Sequence, residues 1–503
     1  MWSDILFFVG GIVALVYFFF KRRYAYWADL GVPYAVPSFP YGNIGDVGKK
    51  LHTSELFEIF YKQFKNKTPV MGFYATIAPQ AMIMDLDLIQ RIFIKDFQYF
   101  HDRAQYYNLQ DDPLSGHLFN IDGERWKTLR AKISPTFTSG KMKMMLPTVV
   151  DVGENFHKIL FRDIGQEAEV EIKDYLARFT TDVIGSCAFG LECNSLENPN
   201  AEFRRFGDKA FSTPWLKVLK FHFNASFMSL ARKLRMRSFD KDVTDFYKSV
   251  VFDTVKYREK TGVQRNDFLN LLMEIRDRNA KDEDITGAEG KLTLYEIAAQ
   301  SLVFFLAGYE TSSTAMTFAL YELAKQPEIQ EKARKNVIDT LAKYGGKFTY
   351  EAAMEMTYLD QVINETLRKF PPLGSLTRRV THDYQVPGTK YVLKKDLRVI
   401  IPIRAIQNDP EIFPDPDKFD PERFSPENMK KLHNAAFMPF GDGPRNCIGL
   451  RFGMLQVRIG LATILKSFII TPTPRTPDPI VLKKDTFAVT SEGGMRLKLK
   501  RIA

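Results

Sequence analysis

The 503-residue chain has few cysteines, and their scarcity excludes several classes of protein. Only Cys187, Cys193 and Cys447 occur, and an odd, sparse count provides no disulfide framework. We therefore expect the folded part to lie in a reducing compartment. No Cys-x-x-Cys pair or neighbouring pair of histidines accompanies them, which argues against a structural zinc site. Cys187 and Cys193 are interpreted as small core residues.

The interior also lacks internal repeats, low-complexity tracts and long glycine-, serine- or proline-rich linkers. This favours one large globular unit, although length alone would suggest about two to four domains. The net charge is +10, but the basic residues are dispersed and no aromatic-plus-basic module appears. We therefore expect no nucleic-acid binding and favour an acidic protein partner.

One long hydrophobic run is present, at the N-terminus. Residues 5–20 carry no charge, Asp4 precedes them, and Lys21, Arg22 and Arg23 follow at once. A cleaved signal peptide would carry its basic residues before the run, so this order indicates a retained membrane anchor. By the positive-inside rule the rest of the chain stays on the cytoplasmic side. The predicted division is an anchor at 1–20, a basic, proline-rich hinge at 21–42 and a single large globular domain at 43–503.

Near the C-terminus, residues 440–449 read Phe-Gly-Asp-Gly-Pro-Arg-Asn-Cys-Ile-Gly. The loop can point backbone N–H groups at the Cys447 sulfur, and the helix predicted over 450–468 adds its positive end. With the cation of Arg445, these effects favour a thiolate able to bind a metal, and the site suits haem iron. A phosphate loop is excluded because Asn446 replaces the third glycine and no lysine follows. An inert structural cysteine is the remaining alternative.

A long helix is predicted between Thr293 and Pro327. Thr293 and Glu296 form a capping-box pattern, and the helical pattern continues for roughly 50 Å until the proline. Residues 307–312, Ala-Gly-Tyr-Glu-Thr-Ser, interrupt its apolar middle. We predict that the helix opens there to hold dioxygen and water. The alternative is that Ala-Gly permits close helix packing and that Glu310 is merely solvated.

Two further patterns are weak alone. Glu365 and Arg368 lie one helical turn apart, as do two other Glu–Arg pairs, but only this pair precedes Phe-Pro-Pro and then 421–424, Pro-Glu-Arg-Phe. Trp126 and Arg130 form the only Trp-x-x-x-Arg in the chain, on a short helix predicted from Gly123. Helical patterns dominate elsewhere, with strand-like stretches near 69–84, 385–401 and the C-terminal tail.

Phe440, Gly443, Arg445, Cys447 and Gly449 match the haem-binding signature of the cytochrome P450 superfamily, which this chain resembles along nearly its whole length. The N-terminal anchor and the order of the motifs resemble the insect microsomal branch that oxidises plant toxins and insecticides. The resemblance implies the cytochrome P450 fold, mainly α with small β-sheets, as a single large domain behind the N-terminal transmembrane helix.

The resemblance also implies roles for particular residues. Cys447 would bind the iron of haem b, and Thr311 with Glu310 would deliver protons. Other cofactor contacts would come from Trp126, Arg130, Arg378, Arg445 and Phe440, with Arg379 an open alternative to Arg378. The expected substrate pocket comprises Phe119, Phe304, Phe305, Gly308, Leu373, Leu376 and Val489. A buried structural network would join Glu365, Arg368 and Arg423.

The implied activity is insertion of one oxygen atom of O2 into lipophilic small molecules, with electrons from NADPH through NADPH-cytochrome P450 reductase. Cytochrome b5 is an additional candidate partner, and the endoplasmic reticulum membrane is the expected location, with the catalytic domain facing the cytosol. Two alternatives stay open: a hydroperoxide-rearranging haem-thiolate isomerase, against which Glu310 and Thr311 argue, and a non-enzymatic haem sensor or electron carrier. Residues 215–239 mix aromatic and basic side chains and are expected to rest on the membrane surface.

Overall fold

The computed structural model describes residues 2–278 and 292–502. Within this part the α-helices are α1 (Trp2–Tyr24), α2 (Tyr26–Asp29), α3 (Thr53–Phe64), α4 (Leu86–Gln90), α5 (Gly123–Ile133), α6 (Ser139–Ile164), α7 (Ile172–Ile184), α8 (Glu202–Phe211), α9 (Trp215–Ser226), α10 (Met228–Lys233), α11 (Lys241–Thr261), α12 (Phe268–Arg278), α13 (Leu294–Lys325), α14 (Pro327–Lys343), α15 (Tyr350–Glu355), α16 (Thr357–Lys369), α17 (Ile403–Gln407), α18 (Pro426–Met429) and α19 (Leu450–Leu465).

The strands are short and form three small sheets. They are β1 (Val70–Ala75), β2 (Ala78–Ile83), β3 (Glu167–Glu171), β4 (Leu376–Arg379), β5 (Tyr384–Gln385), β6 (Val392–Leu393), β7 (Arg398–Ile401), β8 (Phe468–Pro472) and β9 (Arg496–Arg501). The largest sheet has the order β1-β2-β7-β4, in which only β2 and β7 run parallel. The others are β3-β9-β8 and the hairpin β5-β6. The prediction of a mainly helical fold with small sheets is confirmed.

Helix α13 runs through the main hydrophobic core. Thr293 accepts the backbone N–H of Glu296, whose carboxylate in turn accepts the N–H of Thr293, so the predicted capping box is confirmed. The helix ends before Pro327, as the sequence predicts. Most residues from Ile297 to Ala324 are buried, and the apolar ones pack in the main hydrophobic core. Its length lets one element cross the molecule and pass over the candidate site.

The segment predicted as a proline-rich hinge packs against the largest sheet. Trp27 is fully buried, and its indole N–H donates to the Phe73 carbonyl at 3.1 Å. Backbone hydrogen bonds join Ala35 and Pro33 to Gly72 of β1. Because a Cβ on Gly72 would overlap the Trp27 ring, glycine is needed for this close approach. The hinge therefore packs on the sheet and extends it.

Among the described residues, α1 is the one helix long and apolar enough to cross a membrane, by length and composition. It has 23 residues with a mean hydropathy of 2.1, and none of its residues is buried.

The helix that follows the cysteine loop is shorter than the predicted 450–468. The helix after Cys447 ends at Leu465, because the chain enters β8 at Phe468.

Candidate active site

A cavity lies between α5, α13, α16 and α19 and is closed by the loop that precedes α19. Its volume of about 250 Å³ is far larger than the ~10–15 Å³ that a single water needs. Of the residues predicted for the site, the cavity wall includes Phe119, Trp126, Arg130, Phe304, Gly308, Thr311, Leu373, Leu376, Phe440 and Cys447. The structure thus brings together residues that lie more than 300 positions apart in sequence.

The loop 440–449 directs Cys447 into this cavity. The Cys447 backbone N–H donates to the Phe440 carbonyl at 2.8 Å, which closes the turn. Gly441 and Gly443 both have φ of +69°, a conformation that glycine adopts without strain. A Cβ on Gly443 would overlap the backbone carbonyl of Phe93, so this position also needs glycine for space. The Cys447 side chain is exposed to the cavity.

The electrostatics around Cys447 differ from the prediction. Burial raises the pKa of the thiol above its ordinary value, while the Gly449 backbone N–H and the charges of Arg103 and Arg130 act against that increase. Arg445, predicted to supply the cation, instead stacks on Trp126 at 4.3 Å and donates to the Ile121 carbonyl. Since the surroundings alone favour the thiol, a bound metal would itself have to displace the proton.

Three buried guanidinium groups next to the cavity have N–H groups without partners. They belong to Arg103, Arg378 and Arg445, and the unpartnered nitrogens are Nε in all three, Nη2 in Arg378 and Nη1 in Arg445. Burial lowers the pKa of Arg378 to about 9 and of Arg445 to about 10. Buried cations of this kind need an anion, and a pair of carboxylates facing them would satisfy their free N–H groups.

Arg378 and Arg379 differ clearly. Arg379 donates to Asp102 at 2.6 Å and to Asp122 at 3.1 Å, so protein carboxylates already neutralise it. Arg378 has no ion pair among the described residues and lies over the Phe93 ring at 4.7 Å. Of the two, Arg378 is the guanidinium available to a ligand.

Helix α13 passes over the cavity with Gly308 and Thr311 on its wall. The predicted opening of this helix is wrong, because α13 is continuous and the Thr311 hydroxyl donates back to the Ala307 carbonyl. A Cβ on Gly308 would overlap Ile184 of α7. Gly308 therefore permits close packing of α13 against α7, and it places no side chain on the cavity wall.

Together, the cysteine loop, the unpartnered arginines and the threonine-bearing helix agree with the comparisons to known proteins. The family model described as "Cytochrome P450" matches residues 33–498. The chain belongs to the cytochrome P450 family. It is 46% identical to "Probable cytochrome P450 6a14" of Drosophila melanogaster, over 98% of this chain and 99% of that protein. It is 43% identical to "Cytochrome P450 6A1" of Musca domestica, over 99% and 98% of the two chains.

Membership makes this chain a cytochrome P450 monooxygenase with haem b as its cofactor. The residues present fit that group. Of the two cysteines on the cavity wall, Cys187 is buried and Cys447 is exposed, so Cys447 is the thiol available to bind iron. The partnerless N–H groups of Arg103, Arg378 and Arg445 suit the two propionates. Arg130 also lies on the wall, where it donates to the Asn446 carbonyl at 3.1 Å and side chain at 2.9 Å, which ties α5 to the cysteine loop.

Glu310 does not face the cavity of this P450. Its carboxylate accepts a hydrogen bond of 2.9 Å from Lys173 of α7, which also donates to Ser313 and Thr314. The exposed part of α13 at Thr311 lies on another side of the helix, about 100° away. The structure therefore separates the two residues that the sequence pattern groups as a proton-delivery pair.

Two predicted pocket residues are also placed elsewhere. Phe305 is fully buried in an aromatic cluster with Phe203, Tyr247 and Tyr309, on the side of α13 away from the cavity. Val489 is buried behind the wall, where its N–H donates to the Pro372 carbonyl at 3.0 Å. It supports the segment carrying Leu373 without itself lining the cavity.

The charge network at the C-terminal end of α16 has a fully buried centre, Glu365 and Arg368, and a partly exposed third member, Arg423. Arg368 donates to both carboxylate oxygens of Glu365, at 2.7 and 2.9 Å, and to the carbonyls of Gln407 and Pro416. Arg423 lies 3.5 Å from Glu365. The network joins α16 to the segment before the cysteine loop, and none of its three residues lines the cavity.

Arg103 is a site residue that the sequence analysis missed. Its guanidinium stacks on the Phe119 ring at 4.3 Å and donates to the Arg445 carbonyl at 2.7 Å. It lies in an irregular loop outside any recognisable motif, and only tertiary packing brings it to the cavity. No local signal could have identified it.

Proposed function

We propose that this monooxygenase oxidises lipophilic small molecules such as plant toxins or insecticides, using electrons from NADPH delivered by NADPH-cytochrome P450 reductase. The observation that supports this proposal is the apolar cavity wall facing Cys447. Phe119 and Phe304 supply aromatic surface and Leu373 supplies aliphatic surface. Such a wall favours ligands that gain free energy by leaving water.

In this proposal each part of the wall has one task. Cys447 would bind the iron, and Arg103, Arg130, Arg378 and Arg445 would hold the propionates. Bound haem supplies the oxygen-activating chemistry. The apolar residues orient the substrate and exclude water, so that the bound molecule is oxidised in preference to side reactions with water.

We propose that the Thr311 hydroxyl holds the proton that is delivered at the cavity. Its hydroxyl lies on the wall and is oriented by the Ala307 carbonyl. Glu310 is held by Lys173 behind the helix, so we propose that it positions this part of α13 and that Thr311 holds the proton. Glu310→Gln and Lys173→Met should then alter coupling between NADPH use and product less than Thr311→Ala does.

We further propose that α1 anchors the enzyme in the endoplasmic reticulum membrane and that the domain of residues 43–503 faces the cytosol. The apolar residues exposed near α1 and α9 support contact with the same membrane. We propose that the electron donor docks on basic residues close in sequence to α5 and to the cysteine loop: Lys127, Lys132, Lys141, Lys143, Lys430, Lys431 and Arg451. Cytochrome b5 is a candidate for the same surface.

The test combines the purified full-length holoenzyme, the reductase, NADPH and a panel of plant defence compounds and insecticides under ¹⁸O2. We expect product containing one ¹⁸O atom, with the other atom released as water, and NADPH consumption that depends on substrate. Label-free product would contradict oxygen insertion. Turnover of hydroperoxides without NADPH or reductase would instead favour the isomerase alternative.

A further inference from the structure

Arg398, at the start of β7, is unusual among the arginines of the described chain. Its Nε and Nη1 atoms are buried without a hydrogen-bond partner. Every other described arginine with such an orphaned nitrogen makes a hydrogen bond or ion pair through another nitrogen. In the part of the chain that the structure describes, Arg398 makes neither. A buried polar group without a partner requires an explanation.

The haem cavity does not explain it, because Arg398 is not on the cavity wall. Its cross-strand neighbours are Gln80 of β2 and Arg379 of β4. Arg379 uses its charge on Asp102 and Asp122. Across the sheet, Arg398 therefore faces a second cation and a neutral amide, and neither can neutralise it.

Helix α9 covers the other side of Arg398. The guanidinium carbon lies 5.5 Å from the Phe221 ring centre. Next to Phe221, the Nδ1 atom of His222 is also buried without a partner. Burial and the charge of Arg398 lower the pKa of His222 to about 3, so its imidazole is neutral near pH 7. Among the described residues, no acidic side chain forms a hydrogen bond or ion pair with either Arg398 or His222.

The surface beside this pair is apolar and continuous with the anchor helix. Leu216 is 76% exposed and Phe39 is 66% exposed. The Phe39 ring packs on Phe20 of α1 at 4.7 Å, and Tyr41 packs on Trp215 of α9 at 5.6 Å. An amphiphile whose chains lie on this surface would bring its head group to the edge of α9, where Arg398 lies behind Phe221.

We propose that Arg398 and His222 bind the phosphate group of an anionic phospholipid. The guanidinium and imidazole N–H groups donate to the phosphate oxygens, and the acyl chains lie on the exposed surface of α9 and residues 36–41. Guanidinium groups suit phosphate because they donate several hydrogen bonds in a fixed plane. The site rests on the proposed membrane attachment and adds a lipid preference to it.

The full-length holoenzyme is compared in nanodiscs of phosphatidylcholine alone and of phosphatidylcholine with phosphatidylglycerol. We expect a higher thermal unfolding midpoint in the phosphatidylglycerol discs. Arg398→Met should abolish that gain and, in neutral detergent, should match or exceed the wild-type midpoint, because it replaces an unpaired buried cation by an apolar side chain. Lys220→Met removes one charge from the same helix and should keep the gain, as should Arg398→Lys in part.

A gain in Arg398→Met equal to that of the wild type would overturn the proposal, and so would the absence of any phosphatidylglycerol effect. Inorganic phosphate added in detergent should give no comparable gain; if it did, the free ion would be the ligand and the lipid assignment would be wrong. Failure to insert into either kind of disc would contradict membrane attachment itself, whereas insertion without lipid preference would contradict only the role of Arg398.

Discussion

Two glycines of the cysteine loop allow a matched test of how the loop holds the cofactor. Gly441 and Gly443 share a φ of +69°, so an alanine at either position carries a similar conformational cost of about 1–2 kcal/mol. Their surroundings differ. A Cβ added at Gly441 would lie 3.1 Å from the end of the Leu376 side chain, which can rotate away. A Cβ added at Gly443 would overlap the Phe93 carbonyl, with the carbonyl carbon only 2.9 Å away.

Backbone atoms cannot move aside as a leucine terminus can. Overpacking of this kind costs a further ~1–3 kcal/mol, so we expect Gly443→Ala to lose about 2–5 kcal/mol of stability and Gly441→Ala about 1–2 kcal/mol. Phe93 also packs beneath Arg378. Displacing it should therefore move a guanidinium that we assign to a haem propionate.

The assay measures the haem-to-protein ratio, the spectrum of the reduced carbon-monoxide adduct and the denaturant midpoint for both variants. Gly441→Ala should retain most of its haem, whereas Gly443→Ala should lose haem and unfold at lower denaturant. If the two variants had equal midpoints and equal haem content, the contact with the Phe93 carbonyl would not limit the loop, and the reasoning would be refuted.

Three further outcomes are expected. Cys447→Ser should abolish the Soret shift of the reduced carbon-monoxide adduct while the circular dichroism stays helical; an unchanged spectrum would contradict the ligand assignment. Glu365→Gln should cost about 3–5 kcal/mol because it leaves buried Arg368 uncompensated, whereas Glu202→Gln, which breaks an exposed pair at the same spacing, should cost under ~1 kcal/mol; equal denaturant midpoints would contradict the burial argument. Burial, with a smaller effect of the Arg103 charge, lowers the pKa of His117 to about 3. Between roughly pH 6.5 and 4 the unfolded chain therefore binds a proton that the folded chain does not, so stability should fall as the pH decreases. His117→Gln should reduce that slope by about 1.4 kcal/mol per pH unit in denaturant titrations, and an unchanged slope would argue against a neutral buried imidazole.

Local signals predicted the elements that local chemistry determines. The capping box at Thr293 and the break at Pro327 give both ends of α13, and the glycine pattern gives the loop at Cys447. The wrong predictions concern which side of a helix faces the cavity. Phe304, Gly308 and Thr311 follow the helical repeat and share the cavity side, so the same repeat could have placed Phe305 on another side.

Other features depend on contacts between distant segments. Nothing near Glu310 in sequence indicates that Lys173 binds it, and nothing near Arg103 indicates that the cysteine loop packs against it. Likewise, the prolines of the predicted hinge suggest stiffness, while the docking of that segment depends on Trp27 finding a groove above Gly72. Such contacts follow from the assembled fold rather than from spacing.

The position of Arg103 has a practical consequence for anyone redesigning this enzyme. Its guanidinium stacks on the Phe119 ring and also donates to the Arg445 carbonyl, so one side chain supports both the substrate-facing wall of the chamber and the loop that would hold the haem. Enlarging the chamber at Phe119 would loosen both. Leu373 lines the same chamber without touching that arginine contact, and it is the better position at which to make room for bulkier compounds.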